Sequence, residues 1–487
     1  MHSIVQTIQK EQNEIIRGSE SKTLIVQGVA GSGKTAIALH RIAYLLYKLK
    51  NKITSKDIMF ISPNNAFSSY ISSVLPDLAE DDIEKIQLDL LARNYLKKHC
   101  ILERKYEQIE RLINSNNFED YEYKTSLKFL KDLKDFAHKN YVDNFYIDSF
   151  EIHKTFIDNT KIIELFRNKY ADKDIFTRLK WITENIFDMY FYKVKSPNKI
   201  VMLKESIFTK LYKSINNKNC VKAYMNFLKS KNMKLELVGD KVKNEDGYGI
   251  LFFKMFILGL DKFENIKHLV IDEMQDYSPV QMYILNYLFD CPKTILGDYN
   301  QVLKNIDFSY VSSYMHKIFN GDIEILKLNK SYRSTSNIIQ FYNKISGKSS
   351  EMVTRYGDDV DVITTSKIDS YNVLIKQVEN FKNRGFNSVA IITKTNFDAQ
   401  ELFDKLSKKL DNLELIDDNI DLYHNKLCVI SAYNSKGLEF DGVIVYDVSD
   451  NFSTEIDKNL LYIALTRPLH KLSIISIDKK SKFLENI

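Results

Sequence analysis

The stretch Thr23–Thr35, TLIVQGVAGSGKT, limits what this chain can fold into more than any other. A short apolar run leads into a glycine-rich loop that ends in Lys34 and Thr35, and AIALHRIAYLL follows with helical periodicity. A strand, a tight loop and a helix in that order make the unit of an α/β fold with a parallel sheet. Gly28, Gly31 and Gly33 let the backbone curl, with Val29, Ala30 and Ser32 between them, so that successive N–H groups point inward at the positive end of the helix. Such a nest suits a polyphosphate. Lys34 is placed to reach the β- and γ-phosphates, and the Thr35 hydroxyl to ligate the Mg²⁺ that bridges them. The dinucleotide pattern is not met, because only Ala36 fits its third position.

A chain of 487 residues exceeds one hydrophobic core and is expected to divide into two to four domains. No run of eighteen apolar residues occurs, and MHSIVQTIQKEQNEIIRG is too polar for a signal peptide, so a cytoplasmic protein without a membrane span is expected. Cys100, Cys220, Cys291 and Cys428 form no CxxC pair, which argues for buried thiols over a zinc site or a disulfide framework. The net charge of +5 says little about partners.

Along the chain, IQKEQNEII is helical and places Gln12 shortly before the loop, while Ile58–Ser62 reads as a second strand. From 82 to 239 the periodicity is helical with few glycines, an all-helical insertion. It divides a first α/β domain, 1–81 and 240–320, from itself. His268–Ile271 then reads as a buried strand that delivers Asp272 and Glu273 at its C-terminal end. Asp272 suits a Mg²⁺ ligand and Glu273 the group that orients and deprotonates an attacking water. Lys293–Gln301, KTILGDYNQ, reads as a third strand ending in Gly297, with Gln301 placed to sense a phosphate. Ile323–Leu328, Ser388–Thr393, Leu427–Ser431, Gly442–Tyr446 and Leu472–Ser476 imply a second α/β sheet in 321–487, with Arg333 and Arg467 at the ends of helical runs. Between Phe191 and Asp240 stand 11 lysines against 3 acidic residues, interleaved with Tyr192, Phe208, Tyr212, Tyr224 and Phe227. An anionic partner is expected there.

The ordered set GVAGSGKT, VIDEMQD, ILGDYNQ, LNKSYRST, NSKGLEFDGVIV and LLYIALTRPLHKL resembles the superfamily 1 helicases of the UvrD/Rep type. Within them GVAGSGKTAIALHRIAYLLY, FISPNNAFSSYISSVLPDL and EDGYGILFFKMF are most similar to the HelD group, ATPases that free bacterial RNA polymerase from stalled complexes. The resemblance implies an ATP hydrolase using Mg²⁺, built from two RecA-like domains, that acts on single-stranded or tailed DNA or on RNA polymerase. It also implies that Gln12 reads adenine, Tyr332 stacks on it, Glu439 contacts the ribose, and Gln301, Arg333 and Arg467 reach the γ-phosphate.

The departures shape further expectations. The only tryptophan, Trp181, is not beside GDYNQ, where the resembled helicases stack an aromatic on the strand. About a hundred residues separate LNKSYRST from NSKGLEF, too few for a large second insertion, so strand separation should be weak. Gln12 lies near the start, which implies that the N-terminal coiled coil of the HelD group is missing. Two rivals remain, a helicase subunit that works with a nuclease in repair or phage defence, and a slow nucleotide-gated clamp.

Overall fold

The computed structural model describes residues 10–18, 22–50, 52–62, 83–115, 118–298, 308–319, 321–347, 351–352, 355–417 and 427–485. Gln301 and much of FISPNNAFSSYISSVLPDL lie outside them. The chain builds two six-stranded parallel sheets, as the resemblance implies for two RecA-like domains.

The first sheet contains β1 (Thr23–Gly28), β2 (Ile58–Ile61), β3 (Glu84–Ile86), β4 (His268–Ile271), β5 (Lys293–Gly297) and β6 (Ile323–Leu328), in the order β6-β1-β5-β4-β2-β3. Its inner strands are buried on both faces, which is why they read as unbroken apolar runs. Alternate residues feed two cores. Leu24, Val26, Ile58, Phe60 and Leu296 pack with α2 (Lys34–Lys48), while Met59, Ile61, Leu269, Ile271 and Ile295 pack on the opposite side.

Strand β6 corrects the expectation that Ile323–Leu328 opens the second sheet. It pairs with β1 in parallel from Thr23↔Ile323 to Gly28↔Leu328, so the first sheet extends past residue 320. An apolar strand carries no mark of its partner, and the helix Phe308–Ile318 supplies the crossover that returns the chain to β1.

The second sheet runs β7 (Asp361–Thr365), β12 (Pro468–Ile477), β11 (Phe440–Tyr446), β8 (Val389–Thr393), β10 (Leu427–Ser431) and β9 (Leu413–Ile416) across its width. It too is covered on both faces.

The insertion is mainly helical but not all-helical. Residues Glu84–Ile86 form β3 of the main sheet, and Phe150–Ile152 with Thr155–Ile157 and Leu237–Val238 with Lys241–Val242 make two short antiparallel hairpins. Nor does it keep its own core. Phe129, Leu179, Ile207 and Phe227 belong to the same apolar cluster as Ile61 and Ile271. The junction is also ionic: Arg111 holds Glu103 at 2.8 Å and Glu245 at 2.9 Å, both carboxylates being almost completely buried. Lys124, itself buried, lies 2.7 Å from Asp246. Removing one partner of such a pair strands a charge, at a cost of roughly 3–5 kcal/mol. Three of the four cysteines are buried and Cys100 is partly so, and all are free. Among the described residues no helix is long and apolar enough to cross a membrane.

His268 on β4 sits with its Nε2 3.0 Å from Thr294 Oγ1, and burial, reinforced by Arg41 and Lys293, pushes its imidazole down to about 3. The unfolded chain titrates this group near ~6.5. Between the two values the unfolded state alone takes up the proton. Stability from this residue is therefore complete above about pH 6.5 and is lost as pH falls toward 3, at up to about 1.4 kcal/mol per pH unit. Urea unfolding measured from pH 7 to pH 4 should show this slope, and His268→Gln should flatten it.

Candidate functional site

Strands β1, β5 and β4 lie side by side, with Gln27 opposite Gly297 and Ile271 opposite Ile295, so their carboxyl ends open on one crevice. From β1 the chain enters the glycine loop. Gly31 and Gly33 take φ of 75° and 81°, a region that side chains disfavour, and Gly33 directly precedes α2. Lys34 Nζ reaches back to the carbonyls of Gly28 at 3.0 Å and Val29 at 3.1 Å, so its charge sits over the loop.

A buried arginine sets the flank of the loop. Arg41 on α2 donates to the carbonyls of Ile15, Ile16 and Gly18 at the end of α1 (Lys10–Arg17), and its Nε donates to Thr294 Oγ1. A cation at a helix C-terminus satisfies carbonyls that the helix leaves open. Helix α1 is thereby clamped, and Gln12 Nε2 donates to Ser32 O at 3.0 Å. Gln12 thus stands beside the loop, as a purine-reading residue would need to.

At the end of β4, Asp272 accepts from Thr35 Oγ1 through Oδ2 at 3.0 Å and from the Glu273 N–H through Oδ1 at 2.8 Å. Glu273 has φ 53°, a left-handed conformation that is costly for this residue type and found disproportionately at functional sites. Burial drives the carboxyl of Asp272 above its usual range, and the Glu273 charge adds to this. Glu273 goes the other way: burial pushes it up, but Lys436, Lys34 and Arg467 together pull it below. One acid carries the charge and its neighbour resists it.

The second lobe supplies the facing cations. Lys436 Nζ lies 2.6 Å from Asp276, both side chains being buried or nearly so. Arg333 Nη2 lies 2.6 Å from Glu439, and Nη1 donates to Thr466 O at 3.2 Å. The Glu439 carboxylate, placed on a ribose by the resemblance, is here engaged by Arg333. Arg467 is fully enclosed, donating to Ile463 O and Thr466 Oγ1, and burial followed by the Arg333 charge lowers it to about 10. Tyr332, on the segment that leads from β6 toward the second lobe, is half-buried and its N–H donates to Gly31 O at 2.8 Å, which holds that segment against the loop. Sequence reasoning did not assign Lys436, Asp276, Gln275 or Arg41. Lys436 and Asp276 stood inside quoted motifs, but their pairing is 160 residues apart in sequence.

The residues fit a nucleoside triphosphate with Mg²⁺. Ser32 Oγ, Ser331 Oγ and Arg333 Nε are buried polar atoms without a hydrogen-bond partner around the loop. A Cβ added at Gly28 would meet Ser32 Oγ at 2.3 Å, and one at Gly31 would meet Arg333 Cβ at 2.6 Å, so the cradle is closely lined. Among the described residues no group of three or more His, Cys, Asp or Glu could hold a metal. A carboxylate, a hydroxyl and phosphate oxygens are the donors Mg²⁺ takes in such sites.

The UvrD/REP helicase N-terminal domain family matches residues 8–305, and the UvrD-like helicase C-terminal domain family matches 426–475. A protein of Acanthamoeba polyphaga mimivirus named as an ATP-dependent DNA helicase is 26% identical over 253 residues, 45% of this chain and 35% of its own length. One of Mycoplasma pneumoniae named as a DNA helicase is 21% identical over 506 aligned residues, 97% of this chain and 84% of its own. The ATP-dependent DNA helicase PcrA of Staphylococcus epidermidis is 50% identical over 46 residues, 9% of this chain and 6% of that protein. The chain therefore spans about a third of the mimiviral relative and most of the mycoplasmal one.

Lys34→Ala should weaken Mg-ATP binding at least tenfold, since it removes the charge over the loop. Glu273→Gln keeps the side chain's shape and should bind ATP as the wild type does, read by titration calorimetry.

Proposed function

The chain belongs to the UvrD/REP helicase family, a family of P-loop ATP hydrolases, and we propose that it hydrolyses ATP to drive closure of the cleft between its two lobes while acting on DNA. The observation that carries this reading is the meeting of both lobes at one buried acidic turn. Glu273 and Asp276 lie in the turn after β4 in the first lobe, and Lys436 and Arg467 approach from the second.

The division of labour follows from position. Lys34 and the loop N–H groups would bind the phosphates, and Thr35 with Asp272 would hold Mg²⁺, whose chemistry there would be to neutralise phosphate charge. Glu273 is the ionised carboxylate of the pair; it orients the water and accepts its proton. Arg333 and Arg467 belong to the lobe that must close, so the charge developing on the transferred phosphoryl group is met only in the closed cleft. Gln12 and Tyr332 flank the base, while Glu439 trades Arg333 for the ribose. Gln301 completes the γ-phosphate contacts in this reading and lies outside the described residues.

Nucleic acid is the proposed track, and the insertion supplies a surface for it. Lys195, Lys199, Lys210, Lys213, Lys222 and Lys229 are exposed, and none has a carboxylate partner among the described residues. The aromatic part of the expectation narrows. Tyr224 and Phe227 are fully buried and Phe208 and Tyr212 stack on each other against Phe176, because the helices need them as core; Tyr192 alone of the five is exposed, at 67%. The surface therefore suits phosphate contacts more than base stacking.

The finer reading is the one nearest the HelD group, in which the anionic machine is RNA polymerase. A nuclease partner and a slow clamp are the remaining outcomes. ATP turnover measured alone, with single-stranded DNA and with core RNA polymerase separates them. Stimulation by DNA supports the track reading, stimulation by polymerase alone supports the remodeller, and no stimulation supports the clamp. Unwinding of a tailed duplex by the isolated chain should be weak.

Reversing Lys199, Lys210 and Lys213 to Glu should weaken DNA binding across sequences and reduce the slope of log affinity against log salt by up to about three. Fluorescence anisotropy between 50 and 200 mM salt reads both.

A further inference from the structure

The acidic turn after β4 contains a side chain that the chemistry above leaves without a role. Gln275 lies in the short helical turn Met274–Asp276, nine-tenths buried. Its amide has two contacts: Nε2 donates to Glu273 Oε2, and Oε1 accepts from the Asp298 N–H, at the end of β5, at 2.9 Å.

The orientation of this amide follows from chemistry. A backbone N–H can only donate, so the atom facing Asp298 must be the oxygen, and the NH₂ is left facing Glu273. With the oxygen on Asp298, it is the NH₂ that meets Glu273 Oε2. The Asp298 N–H thus specifies both ends of the side chain.

The end of β5 is built to admit it. A Cβ at Gly297 would stand 2.6 Å from Gln275 Oε1 and 2.4 Å from Met274 Cγ, closer than atoms tolerate. Glycine at 297 is what lets the turn after β4 lie across the neighbouring strand.

We infer that Gln275 is a positioning residue for Glu273, pinning one carboxylate oxygen to the frame of β5 and leaving the other to face water. The inference rests on the reading of Glu273 as the base. Glu273 has a flexible side chain on a left-handed backbone, with Lys34, Lys436 and Arg467 all attracting it. Without an anchor, its carboxylate has several competing orientations, and a displacement of about 1 Å can cost on the order of 10²-fold in rate.

Three variants test this, with kcat and KM for ATP measured beside Glu273→Gln and binding of a non-hydrolysable ATP analogue measured for each. Gln275→Glu keeps an acceptor for the Asp298 N–H but loses the donor to Glu273. It also sets a second carboxylate against Glu273, so its effect counts as lost positioning only where the uncharged Gln275→Met shares it. Gln275→Met removes both contacts, and Gly297→Ala displaces the amide while leaving Gln275 in the chain. The expected result is a fall in kcat on the order of 10²-fold in all three, with KM and analogue binding changed by less than about threefold. Wild-type kcat in Gln275→Glu, with Glu273→Gln inactive, overturns the inference and leaves the base assignment standing. Wild-type turnover in Glu273→Gln overturns both. Loss of analogue binding in parallel with kcat in the Gln275 variants also overturns it, since that marks collapse of the cradle.

Discussion

Three carboxylates, Asp272, Glu273 and Asp276, are buried within one turn of chain, and burial alone drives each of them toward the neutral form. Lys34 from the first lobe and Lys436 and Arg467 from the second pull Glu273 back down, and Lys436 and Lys105 do the same for Asp276. Cations from both lobes thus meet at the acidic turn, with Lys436 Nζ 2.6 Å from Asp276. A site whose charges are drawn from both halves is also one whose chemistry depends on how the halves stand.

What the sequence made legible was local. The glycine loop, Lys34, Thr35, Asp272 and Glu273 each occupy a few residues whose order reports a strand end, and the structure brings them to one crevice. What it concealed was pairing. Strand Ile323–Leu328 reads the same whether it borders β1 or opens a new sheet, since an apolar run records burial and not its neighbour. Glu84–Ile86 is too short and too polar to stand out as a strand. Arg41 looks like one more surface cation on an amphipathic helix until three carbonyls from α1 are seen to converge on it. Gln275 is invisible for the same reason, because its meaning lies in Asp298, just past the end of another strand.

The insertion illustrates a different limit. Its helical periodicity was plain, and so was its concentration of lysine, but periodicity cannot say whether a helical segment has a private core. Here it does not: Phe129 and Phe227 pack in the cluster that also contains Ile61 and Ile271. Arg111 and Lys124 then fasten it through buried carboxylates on the helix Asn244–Leu258, which leads toward β4. A push on the insertion is therefore passed through shared packing to the sheet that carries the acidic turn.

The helix Lys105–Ile113 extends that connection to the second lobe. Glu110 accepts from the Asn396 N–H at 3.2 Å, and Ile113 packs against the second lobe's core. Lys436 on Asp276 and the hydrogen bond from the Tyr332 N–H to Gly31 O join the two lobes at the site itself. The Glu110 contact lies on the insertion side and the Tyr332 and Lys436 contacts lie beside the nucleotide cradle, so the two lobes are joined both at the site and away from it. A change at the insertion therefore reaches the second lobe directly as well as through the acidic turn.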